Sequence, residues 1–272
     1  MARPVILLGL GFTTRRVARR LLARRVPTFA AVRRAERFQD LAALGLRIGG
    51  LTAEGLPRGA VLIHTIPPLP EAESLAIREL ILQFEPKRVV YISSTGVYGG
   101  QSVVDENTAV LDSDDKARQR IADEDWLRAG SWETLIVRPA AIYGPGRGVH
   151  IRIREGRLPR AEPGGITSRI HADDLAAIVE AGARSGLTGA WPAADDYPCA
   201  TAEIAAWCAE LFRLELKSHW KETIPVWGRR VHGGEIRKLL SVDLAYPKFD
   251  AGILACLCEE RLAALRSGEC NR

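Results

Sequence analysis

The chain lacks an apolar run of bilayer length at its start. The N-terminal one is short and meets Arg15, Arg16, Arg19 and Arg20 at once, with no small-residue cleavage site, so neither a signal peptide nor a membrane helix is expected. Cysteine is sparse: the five residues Cys199, Cys208, Cys256, Cys258 and Cys270 all lie in the last third. They form no C-x-x-C pair and have no histidines at zinc-site spacing, so no metal is expected, and free thiols in a reducing cytoplasm are. Repeats and low-complexity tracts are missing too. The formal charge of +5 and pI near 9.1 come from arginines scattered among acidic residues with little aromatic interleaving. That pattern argues against nucleic acid as a partner, and an anionic small ligand accounts for it as well.

With 272 residues there is enough chain for one large domain or a domain with a smaller lobe. Its organising stretch is Val5 to Thr14, an apolar run that breaks at Gly9 and Gly11 and passes into a basic, helix-favouring segment. Strand, tight turn and helix in that order aim free N–H groups and the positive end of the helix dipole at one point, where a diphosphate can sit. Gly9 allows the turn, Gly11 lets a phosphate approach, and Phe12, Thr13 and Thr14 open the helix. The third glycine of the usual G-x-G-x-x-G is Thr14 here. Helix and strand must therefore pack further apart, or the hydroxyl must find a local partner. An ordinary strand-to-helix turn carries the same short pattern.

Apolar spacing predicts a helix over 15–25 and a strand over 28–32 that ends at Arg33 and Arg34. An acidic side chain at that place accepts from a ribose 2′-OH, whereas arginine pairs with a 2′-phosphate, so NADP is favoured over NAD. Two solvated arginines opening the next helix would look the same. A helix over 36–44, a strand over 46–51, a strand over 60–66 followed by Pro67, a helix over 74–84 and a strand over 88–94 complete an alternation that means a parallel sheet covered on both faces. His64 reads as a packed wall. Ligands bind beyond the carboxyl ends of such strands, where Gly9, Thr65, Ile66, Pro67 and Ser94 all fall.

Tyr91 to Gly99, reading Tyr-Ile-Ser-Ser-Thr-Gly-Val-Tyr-Gly, resembles the end of the fifth strand in the extended short-chain dehydrogenase/reductase family of NAD(P)-dependent epimerases and dehydratases. Val137 to Gly146 is similar to that family's sixth strand and substrate-side loop. Arg169 to Ala176 is similar to its His-x-Asp-Asp-Leu-Ala helix start, and 231–240 with Tyr246-Pro247 to its tail. The resemblance implies a Rossmann fold, a bound nicotinamide dinucleotide and a small-molecule substrate, with Ser94 holding a substrate oxygen near the nicotinamide.

One family feature is missing. A Tyr-x-x-x-Lys pair should follow Ser94 by some two dozen residues, and the segment 112–124 contains no tyrosine. If Glu124 aligns with the glutamate that often follows the family lysine, Lys116 takes the tyrosine's place and Arg120 the lysine's; a two-residue gap gives Asp114 and Arg118 instead. This altered pattern resembles atypical members such as the YeeZ-like group. Arg120 could still hydrogen-bond a ribose. It cannot readily exchange a proton, and Lys116 would need a strongly depressed pKa to do so. Tyr143, in the loop after strand six, is the phenol that could reach the site in the family tyrosine's stead, whereas Tyr98 occupies a structural motif position.

Between Gly146 and Gly165, Arg147, Arg152, Arg154, Arg157 and Arg160 suit phosphate or carboxylate recognition, or else form a solvated basic loop. His171 is expected to pin the loop before a helix, Thr201 to cap another, and Ile236–Leu240 and Ile253–Leu265 to be helices of a small lobe. The expected architecture is α/β: a doubly wound parallel sheet (Rossmann) over 1–145 and 166–194, with a discontinuous C-terminal substrate lobe over 146–165 and 195–272. The expected activity is that of a cytoplasmic, NADP-preferring oxidoreductase of the epimerase/dehydratase type, monomer or homodimer, on an anionic or sugar-like molecule. The alternative is a dinucleotide-binding sensor or scaffold without redox catalysis.

Overall fold

In the computed structural model the described residues are 3–156, 165–214 and 228–267. Short apolar runs become strands wherever a polar, periodic segment follows to cover them. β1 (Val5–Leu8), α1 (Phe12–Ala23), β2 (Thr28–Ala31), a 3-10 turn at Ala35–Phe38 running into α2 (Gln39–Ala42), and β3 (Arg47–Gly49) make the first half. Then come β4 (Val61–His64), α3 (Glu71–Phe84), β5 (Arg88–Ile92), a 3-10 turn at Thr95–Tyr98, β6 (Val103–Val104), α4 (Asp115–Arg128) and β7 (Glu133–Pro139). After them follow β8 (Ala141–Tyr143), α5 (Val149–Arg154), β9 (Ile166–Thr167), β10 (Arg169–His171), α6 (Ala172–Arg184) and β11 (Gly189–Ala193). The chain continues through β12 (Cys199–Ala200), α7 (Thr201–Phe212), β13 (Arg230–Val231), α8 (Gly234–Leu240) and α9 (Phe249–Ser267).

Seven strands form one parallel sheet in the order β11-β7-β5-β4-β1-β2-β3, the doubly wound Rossmann arrangement. Both faces are buried, which is why the strands read as unbroken apolar runs. Val5, Leu7, Ile63, Val90 and Val137 face α1 and α6, meeting Val17, Leu21, Leu175 and Val179. Ile6, Leu8, Leu62, Val89 and Ile136 face α3 and α4, meeting Ile77, Ile81, Phe84 and Leu127. A third core joins Tyr143 and Ile153 to α7 and α9 through Ile204, Cys208, Phe249 and Ile253, forming a small lobe.

Three expectations need correction. The segment 36–44 is a 3-10 turn followed by a single helical turn. Ile236 joins the core beneath α1 and α6, with Leu240 against it, so α8 covers the sheet edge at β11 instead of belonging to the lobe. Thr201 is not a cap: Ala200 occupies that position, and the Thr201 hydroxyl accepts from Nη2 of buried Arg169 at 2.9 Å.

Candidate functional site

The turn after β1 has the geometry its glycines suggested. Gly9 has φ +91°, and a Cβ there would stand 3.2 Å from both Ile66 Cγ1 and Thr65 Oγ1. A Cβ at Gly11 would meet nothing within 4 Å, so the backbone lies open where a phosphate would approach. Gly11 caps α1 without a side-chain hydrogen bond, and no acidic residue occupies the first turn. The first helical donor is Arg15 N–H, to Gly11 O at 3.1 Å, which leaves the N–H groups of Phe12, Thr13 and Thr14 without intrahelical partners. This is a fit to a diphosphate made by backbone alone. The side chain of Thr14, in the third-glycine place, is buried and donates to Thr65 Oγ1 at 2.8 Å. Thr65 N–H in turn donates to Leu8 O at 3.2 Å, so Thr65 braces the turn from β4.

Beside this turn an open groove of about 410 Å³ runs between the end of β2 and the β4–α3 loop. Val32, Leu51, Ile66, Pro67 and Leu69 give it apolar walls suited to a purine; Arg33, Arg34, Arg37 and Phe38 line its mouth. Arg37 and Phe38 were not foreseen. Their signal was spacing, since the 3-10 turn after Arg34 brings both back over the strand end. Arg33 is held by Glu73 of α3, Nη2 to Oε2 at 2.5 Å.

At the end of β5, Ser93 and Ser94 separate by role. Ser93 is buried, and its hydroxyl donates to Glu124 Oε1 at 2.6 Å. Glu124 also accepts from Arg138 (3.1 and 2.6 Å) and from Arg128 at 2.9 Å, and Arg138 reaches the Tyr98 hydroxyl at 3.2 Å. This buried knot ties β5, α4 and β7 together and confirms Tyr98 as structural. Ser94 stays half-exposed; its oxygen accepts from Gly96 N–H at 3.0 Å and opens the turn at Thr95–Tyr98. Arg229 clamps that turn from outside, donating to the carbonyls of Thr95, Gly99 and Gln101.

The residues expected to do acid/base work differ in burial and partners. Lys116 is exposed in the first turn of α4. In the alternative alignment, Asp114 caps α4 through Ala117 N–H at 2.9 Å, and Arg118 pairs with Asp112 and Asp115 on the surface. Arg120 is half-buried beside the Tyr91 hydroxyl, without a formed hydrogen bond. Burial, then the charge of Asp123, push the Tyr91 phenol well above the ordinary tyrosine value. Tyr143 is turned into the lobe, edge-on to His171 at 5.1 Å and packed on Gly252 of α9. Its hydroxyl is buried with no hydrogen-bond partner among the described residues, and burial raises its pKa strongly. His64 is the packed wall expected, stacked on Tyr91 at 5.0 Å and neutral, with burial lowering its pKa to about 4.

On the lobe side, His171 Nδ1 accepts from Asp173 N–H at 3.2 Å and pins the start of α6 as expected. Buried Asp174 holds the tail, accepting from Ala245 and Tyr246 N–H at 2.7 and 3.1 Å. The arginine cluster disperses. Arg154 pairs with Glu260 at 2.6 Å, Arg152 is exposed, and Arg157 and Arg160 lie outside the described residues. Arg147 stacks over the ring of Phe12 at 5.2 Å, which turns it towards the start of α1. Among the described residues no group of histidine, cysteine and carboxylate side chains could hold a metal, and no helix is long and apolar enough to cross a membrane.

No protein-family model matches the chain, and no curated protein matches it. Solved structures do share its fold. A conserved protein of unknown function from Silicibacter pomeroyi DSS is 24% identical with a TM-score of 0.79, over 95% of this chain and 99% of that one. A protein from Methylobacillus flagellatus, provisionally assigned as an NAD-dependent epimerase/dehydratase, is 22% identical with a TM-score of 0.76, over 96% and 100%. The Bordetella bronchiseptica enzyme WbmG, solved with NAD and UDP, is 16% identical with a TM-score of 0.71, over 95% and 94%. At these identities the likeness establishes the fold.

Proposed function

We propose that the chain binds a nicotinamide dinucleotide, NADP in preference to NAD, and uses it as an oxidoreductase of the epimerase/dehydratase type on a small anionic or sugar-like molecule. The observation that carries this is the continuous surface from the open N-terminus of α1, past Gly9 and Gly11, into the groove that ends at Arg33, Arg34 and Arg37. The backbone N–H groups of Phe12 to Thr14 would hold the diphosphate, the apolar walls the adenine, and the arginines a 2′-phosphate. When bound, the cofactor supplies a hydride donor or acceptor. Ser94, at the carboxyl end of β5 and half-exposed, would orient a substrate oxygen, and the Glu124–Arg138 knot fixes the strand end that carries it. The fold neighbours solved with or described as using NAD point to the same cofactor class.

A second reading has its own support. Lys116 is exposed at the start of α4 and the Tyr143 ring packs into the lobe, an arrangement that supports a dinucleotide-binding sensor or scaffold without redox chemistry. Fluorescence titration with NADPH and NADH tests the shared half. Replacing Arg33 and Arg34 by Ala should weaken NADPH roughly 10- to 100-fold, the range of one or two charge-assisted hydrogen bonds, and leave NADH unchanged. Equal affinity of the wild-type chain for both forms defeats the NADP preference. Ser94→Ala then separates the readings, because an enzyme keeps its NADPH affinity and loses turnover on any substrate that screening finds.

A further inference from the structure

The groove contains an ion pair that cofactor binding alone does not call for. Arg33, which lines the groove at the end of β2, donates to Glu73 in the first turn of α3, though both side chains are about half exposed or more. Glu73 reaches Arg33 from a helix start with a stiff approach. Pro67, Pro68 and Pro70 fix φ in the segment before α3, and Ser74 N–H donates to Pro70 O at 2.9 Å. A pair this exposed contributes little to stability. Its effect falls on the charge that Arg33 can offer a ligand.

We propose that Glu73 is an internal competitor for the 2′-phosphate, a carboxylate that occupies Arg33 in the free protein and must release it before the phosphate binds. The inference rests on the dinucleotide reading and adds a residue that sets cofactor choice. Carboxylate and phosphate oxygens both accept from a guanidinium N–H, so a phosphate oxygen can take the Arg33 Nη2 donor that Glu73 Oε2 holds in the free protein. Displaced Glu73 is not stranded, because it returns to water at the N-terminal end of α3, where the helix dipole favours negative charge. NAD(H) carries no group for Arg33 and leaves the pair closed. Glu73 therefore lowers the preference for NADP(H) below what three arginines would otherwise give.

The test is calorimetric titration of the wild-type chain, Glu73→Gln, Arg33→Ala and the double variant with NADPH, NADH and 2′-AMP. Glu73→Gln should bind NADPH and 2′-AMP about two- to fivefold more tightly and NADH unchanged, the range expected when one exposed ion pair no longer has to break. The gain should vanish in the Arg33→Ala background. Glu73→Gln with unchanged or weakened NADPH affinity overturns the proposal, as does an equal gain for NADH. A wild-type chain that binds none of the three ligands instead refutes the dinucleotide reading. Because the substitution is on the surface, equal melting temperatures of the free proteins exclude a folding effect.

Discussion

Replacing Glu124 by Gln probes the joint that positions Ser94. The Glu124 carboxylate is almost wholly buried and accepts from Ser93, from two nitrogens of Arg138 and from Arg128. Glutamine keeps the shape, removes the charge and turns an N–H₂ towards one of these donors. Arg138, equally buried, then stands as a cation without its counter-ion. Removing one partner of a buried pair costs about 3–5 kcal/mol, a large share of the ~5–15 kcal/mol that a folded domain has. Arg128 contacts the same carboxylate from a half-exposed position, so Arg128→Ala should cost at most about 1 kcal/mol. Urea unfolding measures both: the midpoint should fall strongly for Glu124→Gln and little for Arg128→Ala, with the slope unchanged. Glu124→Leu combined with Arg138→Met should recover much of the loss, since a packed apolar pair replaces the ions. A Glu124→Gln midpoint equal to that of Arg128→Ala would refute the knot as the joint between β5, α4 and β7.

Acid should weaken the fold through its buried histidines, His64, His150 and His171. Burial lowers the folded pKa of His64 and of His171 to about 4, from an ordinary value of 6.5. The unfolded chain takes up these protons first, so the stability they contribute is complete above pH 6.5 and is lost as pH falls towards 4, up to about 3 kcal/mol for each. His64→Phe should lessen the fall of the urea midpoint between pH 7 and 5, and an unchanged dependence on pH contradicts the burial argument. Asp174→Ala should free the tail by stranding the Ala245 and Tyr246 N–H groups, at about 2–3 kcal/mol, with hydrogen exchange at those two amides rising ahead of global unfolding. Uniform exchange across the chain would show that the tail is held by something else.

The parallel sheet was legible because burial on both faces writes itself as unbroken apolar runs, and glycine at positive φ has few substitutes at Gly9. Strand ends were less so. The run 60–66 looked like one strand, but Thr65 turns to brace the glycine turn, a contact with Leu8 and Thr14 more than fifty residues away. The same distance hid α8, whose Ile236 and Leu240 carry no mark of whether a lobe or the sheet will bury them. The site divided along similar lines. Gly9, Gly11 and Arg33 belong to local patterns, whereas Glu73 meets Arg33 only once α3 is docked. The position of Tyr143 in a loop after a strand says nothing of which core its ring enters, and the lobe's Gly252 leaves room for it. The resemblance located Ser94 and pointed out the missing phenol, but only packing shows Arg120 beside Tyr91.

Thermal stabilisation of the purified chain by NADPH, NADP, NADH and NAD over a concentration series tests for a dinucleotide site with a 2′-phosphate preference. A ligand bound only by the folded state adds roughly 2.7 kcal/mol at a hundred times its dissociation constant. The shift with the phosphorylated pair should exceed that with NADH and NAD and fall to their level in an Arg33→Ala/Arg34→Ala variant. No shift with any of the four, and no nucleotide copurifying with the chain, would contradict a dinucleotide site.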